Sequence, residues 1–303
     1  MTTYHAVPAS PGRYGLAEGP VQDEATETLT WVDIVAGEVH QGRLSRGVVE
    51  TERRVQVDSM VGAALPSADG RVLVAGLERL WVLHPDGSID RGPRVLPPGT
   101  GRRLNDAACD PEGRLVVGTL SLSGSSTTES LLRVEDDGSL TVLDEDLAQS
   151  NGLAWSADGT TLYSVDTIPG HVWARDYDAR TGRTGPRRLH LRVEGYADGI
   201  GTDTDGNVWV AVWGAGRVLC HAPDGSLLHT VEVAAPHSSS LAFVGPELRT
   251  LLLTTASVEL DEAQLARYPD SGRLFVAEVE ATGVPATPWN GRLPSSPFGR
   301  QEH

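Results

Sequence analysis

The sequence predicts an all-β protein, a six-bladed β-propeller with four-stranded antiparallel blades whose ring is closed by strands from both termini. The first observation is a repeated unit, in which a glycine turn precedes a run of β-branched and apolar residues. The second is its spacing, because the turn glycines lie about 45 residues apart, the length of one propeller blade. These glycines are Gly70, Gly113, Gly159 and Gly206.

Two weaker units, residues 27–34 and 247–253, bring the number of units to six. Because the repeat runs from end to end, we expect one propeller domain over residues 1–303. Residues 2–8 alternate between polar and apolar types and are predicted to form the outer strand of the last blade. The tail beyond Pro285, which contains Pro288, Pro294 and Pro297, is predicted to be mobile or draped over the surface.

Polar residues recur at one place in the repeat, at the start of the innermost strand of each blade. Asp198 is followed by a glycine, and Asn151 and Asn105 lie one and two periods earlier. Positions one period apart occupy equivalent places around the axis of a propeller. The second blade supplies only Val61 or Gly62 at this place, and the sixth supplies Ser239 or Ser240. We therefore expect five oxygen-bearing side chains to meet at one mouth of the channel: Glu18, Asn105, Asp106, Asn151 and Asp198.

This set of donors consists of carboxylates and amides, which suit calcium, magnesium or manganese. The chain has no His-x-His or Cys-x-x-Cys pair, which argues against a dedicated zinc site. Glu18 and Asp198 could instead be solvated channel residues or turn caps, but five residues in phase favour a binding site. His237 precedes the last inner strand, and the sequence leaves open whether it lines the mouth or is merely exposed. Residues 120–130 form the longest candidate loop over the channel mouth.

The composition excludes several classes of partner. The chain has 25 basic and 41 acidic residues, a formal net charge of −16, and it contains no lysine. Such a surface repels phosphate backbones and anionic lipids, so we expect neither nucleic acid nor a membrane as partner. Residues 1–15 lack the features of a secretion signal, and two cysteines, Cys109 and Cys220, fit reduced thiols. We expect a cytoplasmic monomer or weak homo-oligomer that acts on a small molecule.

Several motifs resemble one known family, the senescence-marker-protein, gluconolactonase and luciferin-regenerating-enzyme family, also called regucalcin-like. The motifs are Leu-Ala-Glu-Gly-Pro-Val at 16–21, Arg-Leu-Asn-Asp at 103–106, Ser-Asn-Gly-Leu-Ala-Trp-Ser at 150–156 and Ala-Asp-Gly at 197–199. The resemblance covers essentially the whole chain in order. It implies a six-bladed propeller that holds one divalent metal in its channel and hydrolyses sugar lactones.

Carried over by position, the resemblance implies that Glu18, Asn151 and Asp198 bind the metal and that Asp198 is also the general base. It implies that Arg103 and Asn105 hold the hydroxyls and carbonyl of the substrate. Calcium is the first choice of metal, with zinc, manganese, magnesium and iron(II) as alternatives. The chain departs from the family pattern at Ala107, at Ser239 and at residues 129–132, which concern the substrate pocket rather than the metal ligands.

The sequence thus predicts metal-dependent hydrolysis of an aldonolactone, such as glucono-, xylono- or arabinolactone, to the free acid. In this hypothesis the metal polarises the carbonyl and Asp198 activates water. Two alternatives stay open: a promiscuous metal-dependent esterase or phosphotriesterase, and a calcium-binding regulatory propeller without turnover. Arg103 and Asn105 favour catalysis, because simple metal binding would not need them.

Overall fold

Six β-sheets surround a central channel, and this confirms the predicted six-bladed propeller with four-stranded antiparallel blades. The computed structural model describes residues 1–124 and 126–293. The chain begins with two short strands, β1 (Thr2–His5) and β2 (Val7–Pro8). Each blade that follows is a meander whose first strand is innermost.

The first three blades each contain four strands in chain order. Blade one contains β3 (Ala17–Gln22), β4 (Leu29–Asp33), β5 (Glu38–Ser45) and β6 (Val48–Gln56). Blade two contains β7 (Val61–Pro66), β8 (Val72–Gly76), β9 (Arg79–Leu83) and β10 (Ile89–Arg94). Blade three contains β11 (Arg102–Cys109), β12 (Leu115–Ser121), β13 (Glu129–Val134) and β14 (Leu140–Leu147).

The last three blades complete the ring. Blade four contains β15 (Ser150–Trp155), β16 (Thr161–Asp166), β17 (His171–Asp178), β18 (Arg183–Thr184) and β19 (Arg188–Arg192), and its last two strands both pair with β17. Blade five contains β20 (Tyr196–Thr202), β21 (Val208–Trp213), β22 (Arg217–His221) and β23 (Leu227–Glu232). Blade six contains β24 (Ser238–Val244), β25 (Thr250–Thr255) and β26 (Phe275–Glu278), and the helix α1 (Glu262–Arg267) lies between the last two.

The apolar runs become strands because both of their faces are covered by neighbouring blades. In β21, Trp209 packs with Phe243 of blade six, whereas Val210 packs with Val165 of blade four. The turn before this strand needs Gly206, whose φ is +85°, a conformation that other residues rarely adopt. The hydrophobic core is therefore divided among the interfaces between blades.

The N-terminal strands close the ring, but only in part as predicted. β2 pairs with β26 and is the outer strand of blade six. β1, however, pairs in parallel with β23, so it extends blade five and not the last blade. Alternating polarity predicts a strand without specifying its partner, and the exposed edge of β23 offers backbone groups that β1 satisfies.

The C-terminal tail is anchored at the end of the channel where the inner strands finish. The backbone N–H groups of Val284, Trp289 and Asn290 donate to the carbonyls of blades five, two and three, respectively. The indole of Trp289 is 3% exposed, and the guanidinium of Arg71 lies 5.0 Å from its ring centroid. Of the two expected alternatives, the structure agrees with a draped tail for residues 285–293. Pro294 and Pro297 lie outside the described residues.

Two further findings concern the cysteines and the helices. Cys109 and Cys220 are both free and buried. Within residues 1–124 and 126–293, no helix has the length and apolar character that a membrane span requires.

Candidate metal centre

A β-bulge interrupts the inner strand of each blade at an equivalent position, which holds a polar residue in every blade except blade two. The pairing of β3 with β4 shifts between Glu18 and Val21, and that of β15 with β16 shifts between Asn151 and Leu153. Equivalent shifts occur in the other four blades. A bulge leaves a residue out of the ladder and redirects its side chain. Asn105, Asp106 and Asp198 are left out of the ladder in this way, whereas Glu18 and Asn151 keep their partners and directly precede the residues that are left out.

Glycines that follow these residues allow the inner strands to approach closely. A Cβ on Gly152 would lie 2.4 Å from the carbonyl oxygen of Asp198, and one on Gly199 would lie 2.2 Å from Oγ of Ser240. Because no other residue fits there, blades four, five and six can meet at the channel. This contact brings Asn151 beside Asp198.

The predicted substrate residues and the predicted amide ligand form one chain of hydrogen bonds. Nη1 of Arg103 donates to Oδ1 of Asn105 at 2.7 Å. Nδ2 of Asn105 donates to Oδ1 of Asn151 at 3.2 Å and to the carbonyl of Ser150 at 2.8 Å. Nδ2 of Asn151 donates to Oγ1 of Thr167 at 3.2 Å. Thr167, which the sequence did not single out as a site residue, therefore orients the amide of Asn151.

The carboxylates of Glu18 and Asp198 are buried and influence each other. Burial, and then the negative charge of Asp106, raise the pKa of Glu18 to about 8. Burial, and then the charges of Glu18 and Asp106, raise the pKa of Asp198 well above its usual range. The positive charge of Arg103 opposes both shifts. Glu18 and Asp198 thus share one guanidinium, and with Asp106 nearby the site has an excess of negative charge when all three acids are ionised.

Asp106 belongs to the same cluster but faces the channel beneath the other two acids. Burial raises its pKa to about 6, and Oδ1 accepts a hydrogen bond from the N–H of Ala107 at 2.8 Å. A cavity of about 390 Å³ extends from Asp106 to Pro285 of the C-terminal tail. The sequence-based cluster is therefore layered, with Asp106 on its lower side.

The residues fit a divalent cation by two criteria. Oδ1 of Asp198 is buried and has no hydrogen-bond partner among the described residues, an arrangement that is costly unless a cation or donor satisfies the oxygen. The available donors are two carboxylates and the amide of Asn151, all oxygen ligands. Within the described ranges, no group of three or more His, Cys, Asp or Glu side chains has a metal-binding arrangement, so the amide is needed to complete the set.

Arg103 keeps binding capacity for a ligand. Nη1 donates to the carbonyl of Leu104 and to Asn105, and no other nitrogen of this guanidinium has a partner among the described residues. Burial lowers the pKa of Arg103 to about 10, so it remains a cation at neutral pH. The remaining N–H groups can bind oxygen atoms in a fork.

Other predicted residues take different places. Oγ of Ser239 donates to the carbonyl of Ala17 at 2.6 Å, so this residue joins blade six to blade one. The loop of residues 120–130, of which Ser125 lies outside the described residues, is held at its base because Nε of Arg102 donates to Oε2 of Glu129 at 3.0 Å. Its role as a lid stays a prediction. His237 is 9% exposed, and its ring stacks on that of Trp213. The sequence did not identify Trp213 as a site residue.

Similar proteins are found both by sequence and by structure. A 6-deoxy-6-sulfogluconolactonase of Pseudomonas putida is 33% identical over 275 residues, covering 88% of this chain and 92% of that protein. Regucalcin of Xenopus laevis is 32% identical over 289 residues, covering 92% and 96%. The crystal structure of a calcium-binding protein, regucalcin from Agrobacterium tumefaciens, has a TM-score of 0.88 at 28% identity and covers 96% of this chain and 99% of that one.

The family model agrees with these similarities and with the motifs in the inner strands. Residues 16–257 match the model described as the SMP-30/Gluconolactonase/LRE-like region. The match extends from the inner strand that carries Glu18 to the second strand of blade six, β25, and it includes every predicted ligand. The chain therefore belongs to the SMP-30/gluconolactonase/LRE-like family.

Proposed function

We propose that the protein hydrolyses a sugar-derived lactone to the free acid and that a divalent cation held by Glu18, Asn151 and Asp198 is required. The observation that carries this proposal is the buried Oδ1 of Asp198, which lacks a partner inside a cluster of acids next to Arg103. Relatives named as lactonases support lactone hydrolysis as the class of reaction.

Lactone hydrolysis adds water to the ester carbonyl and breaks the bond between the carbonyl carbon and the ring oxygen. When bound, a divalent cation supplies Lewis-acid polarisation of that carbonyl. Asp198 accepts a proton from the attacking water as general base. The proton then passes to the departing ring oxygen, which becomes a hydroxyl of the acid product.

Arg103 and Asn105 position the lactone. The guanidinium of Arg103 directs its free N–H groups towards substrate oxygen atoms, and Asn105 is fixed by its bonds to Arg103, Asn151 and the carbonyl of Ser150. A preorganised pair of this kind lowers the entropic cost of bringing the ring to the reacting groups. Simple cation binding would use the bond from Asn105 to Asn151 but not the free N–H groups of Arg103.

The substrate class follows from these polar contacts. A neutral, polyhydroxylated ring offers several oxygen atoms to Arg103 and Asn105, as glucono-, xylono- and arabinolactone do. The Pseudomonas putida relative, a 6-deoxy-6-sulfogluconolactonase by name, favours a six-carbon lactone. Calcium is our first choice of cation because the donors are oxygen atoms and the Agrobacterium relative is described as calcium-binding.

The experiment is a lactone panel on metal-free protein reconstituted separately with calcium, magnesium, manganese, zinc or iron(II). Acid release from each lactone is followed against the spontaneous rate without protein. We expect at least one aldonolactone to be hydrolysed, chelator to abolish the activity, and one equivalent of cation to restore it. Absence of turnover with each cation would contradict the proposal, and turnover that survives full chelation would contradict the metal requirement.

A second candidate, a calcium-binding propeller without turnover, is favoured by the description of the Agrobacterium relative. It predicts cation binding in the reconstituted protein but no acid release from any lactone. It also predicts that Arg103→Ala changes only cation binding and stability, because Arg103 opposes the charge of the acids and there is no turnover to lose. The lactone panel therefore separates the two candidates. The same panel extended to aryl esters and phosphotriesters tests the promiscuous hydrolase.

A further inference from the structure

His237 occupies the place in blade six that Arg103 occupies in blade three. Arg103 lies two residues before Asn105 on β11, and His237 lies two residues before Ser239 of β24. The inner strands contact one another in ring order, and β24 contacts β3, so blades three and six lie on opposite sides of the channel. His237 therefore lies across the mouth from Arg103.

Trp213 holds the imidazole of His237 in a fixed plane at the mouth of the channel. The two rings are stacked, with centroids 4.1 Å apart and an angle of 10° between their planes. Trp213 pairs across the strand with Tyr196, which lies two residues before Asp198. The stacked pair thus spans the tops of blades five and six, at the end of the inner strand that carries the predicted general base.

The hydrogen bonds of His237 leave one ring nitrogen available. Nδ1 lies 3.2 Å from the carbonyl oxygen of Val258, which can only accept, so Nδ1 carries the proton. Nε2 has no partner among the described residues and is not sealed from solvent. Burial lowers the pKa of His237, so the ring is neutral at pH 7 and Nε2 is a hydrogen-bond acceptor.

We infer that Nε2 of His237 accepts a hydrogen bond from a ring hydroxyl of the substrate and thereby selects hydroxylated lactones over unsubstituted ones. The inference rests on the proposed function and deepens it, because it names a residue on the side of the channel mouth that faces Arg103. Trp213 positions the imidazole, and Arg103 binds the opposite side of the same ring. A lactone without hydroxyls leaves Nε2 without a partner.

The test compares His237→Phe, which can keep the stack on Trp213 but lacks Nε2, with His237→Gln, which retains an acceptor. The substrates are D-glucono-1,5-lactone and δ-valerolactone, which have the same ring and differ in their hydroxyl and hydroxymethyl substituents. We expect His237→Phe to lower kcat/KM for gluconolactone about 5- to 100-fold and to leave that for δ-valerolactone within about twofold. His237→Gln should recover part of the loss.

A second measurement does not depend on turnover. Binding of 1,5-anhydroglucitol, a hydroxylated ring without the ester, is compared between the wild-type protein and His237→Phe, and it should weaken at least about fivefold in the variant. An equal loss on both lactones, or unchanged discrimination and ring binding, would overturn the inference. A wild-type protein that turns over no lactone would contradict the proposed function, and the ring-binding comparison would still decide the role of His237.

Discussion

At the scale of single residues, the charges around Asp198 determine what the site can hold. The charge of Asp106 raises the pKa of both Glu18 and Asp198, and Arg103 is the cation that counters these two shifts. Replacing one acid by its amide keeps the shape and removes one charge. A loss of activity in such a variant is therefore due to the lost charge and not to a change in packing.

We expect Asp198→Asn to lower kcat/KM for the lactone by at least about 100-fold, because the general base and one anionic ligand are lost together. The thermal midpoint should not fall, since the substitution removes a buried negative charge. The matched control is Asp205→Asn, an exposed aspartate of the same blade, which should keep full activity. A fully active Asp198→Asn protein would remove Asp198 from the mechanism.

The pH dependence of stability gives a second test at this scale. In chelated protein, Glu18 binds its proton up to about pH 8 when folded, whereas the same group releases it near 4.5 when unfolded. Its contribution to stability is therefore complete below about pH 4.5 and lost as pH rises towards 8. A divalent cation replaces the protons, so the rise in Tm on adding cation should grow from pH 5 to pH 8. Thermal unfolding with and without chelator measures it, and a rise that shrinks with pH would contradict the charge balance.

At the scale of the inner strands, bulges and glycines place the donors. The sequence predicted which residues are in phase, because a blade length of about 45 residues puts Glu18, Asn151 and Asp198 at equivalent positions. It did not predict Thr167, which directly follows the second strand of blade four, or Trp213, which ends the second strand of blade five. Contacts across strands depend on register, and the repeat alone does not specify the bulges that shift it.

We expect Gly152→Ala to weaken cation binding about 10- to 100-fold, because the added methyl group would meet the carbonyl oxygen of Asp198 and displace a ligand. Overpacking should also lower the free energy of unfolding by about 1–3 kcal/mol. Gly99→Ala is the control, since Gly99 also has a positive φ but a Cβ there meets nothing within 4 Å. Cation titration and urea unfolding distinguish them, and equal cation affinity in both variants would argue against the close approach.

At the scale of the whole molecule, both ends of the described chain hold the ring together. β1 and β2 join blades five and six, and residues 284–290 connect blades five, two and three beneath the channel. The propeller itself could be predicted because its repeat is local and periodic. The partner of β1 and the anchoring of the tail could not, because each depends on long-range contacts of a segment outside the repeat.

We expect Trp289→Ala to lower the free energy of unfolding by about 3–5 kcal/mol, because a buried indole is lost from the interface between the tail and blade two. The control is Arg292→Ala, whose ion pair with Asp136 is exposed and should be worth no more than about 1 kcal/mol. Urea unfolding of both variants measures the difference. Equal stability of the Trp289→Ala and wild-type proteins would mean that the tail contributes nothing to the fold.

The central claim is that three side chains from blades one, four and five bind one divalent cation. The most direct measurement is a crystal structure of protein saturated with an anomalously scattering divalent cation such as manganese. The account predicts one anomalous peak within about 2.0–2.6 Å of carboxylate oxygens of Glu18 and Asp198 and of the amide oxygen of Asn151. A saturated crystal without a peak among these three oxygens would contradict it.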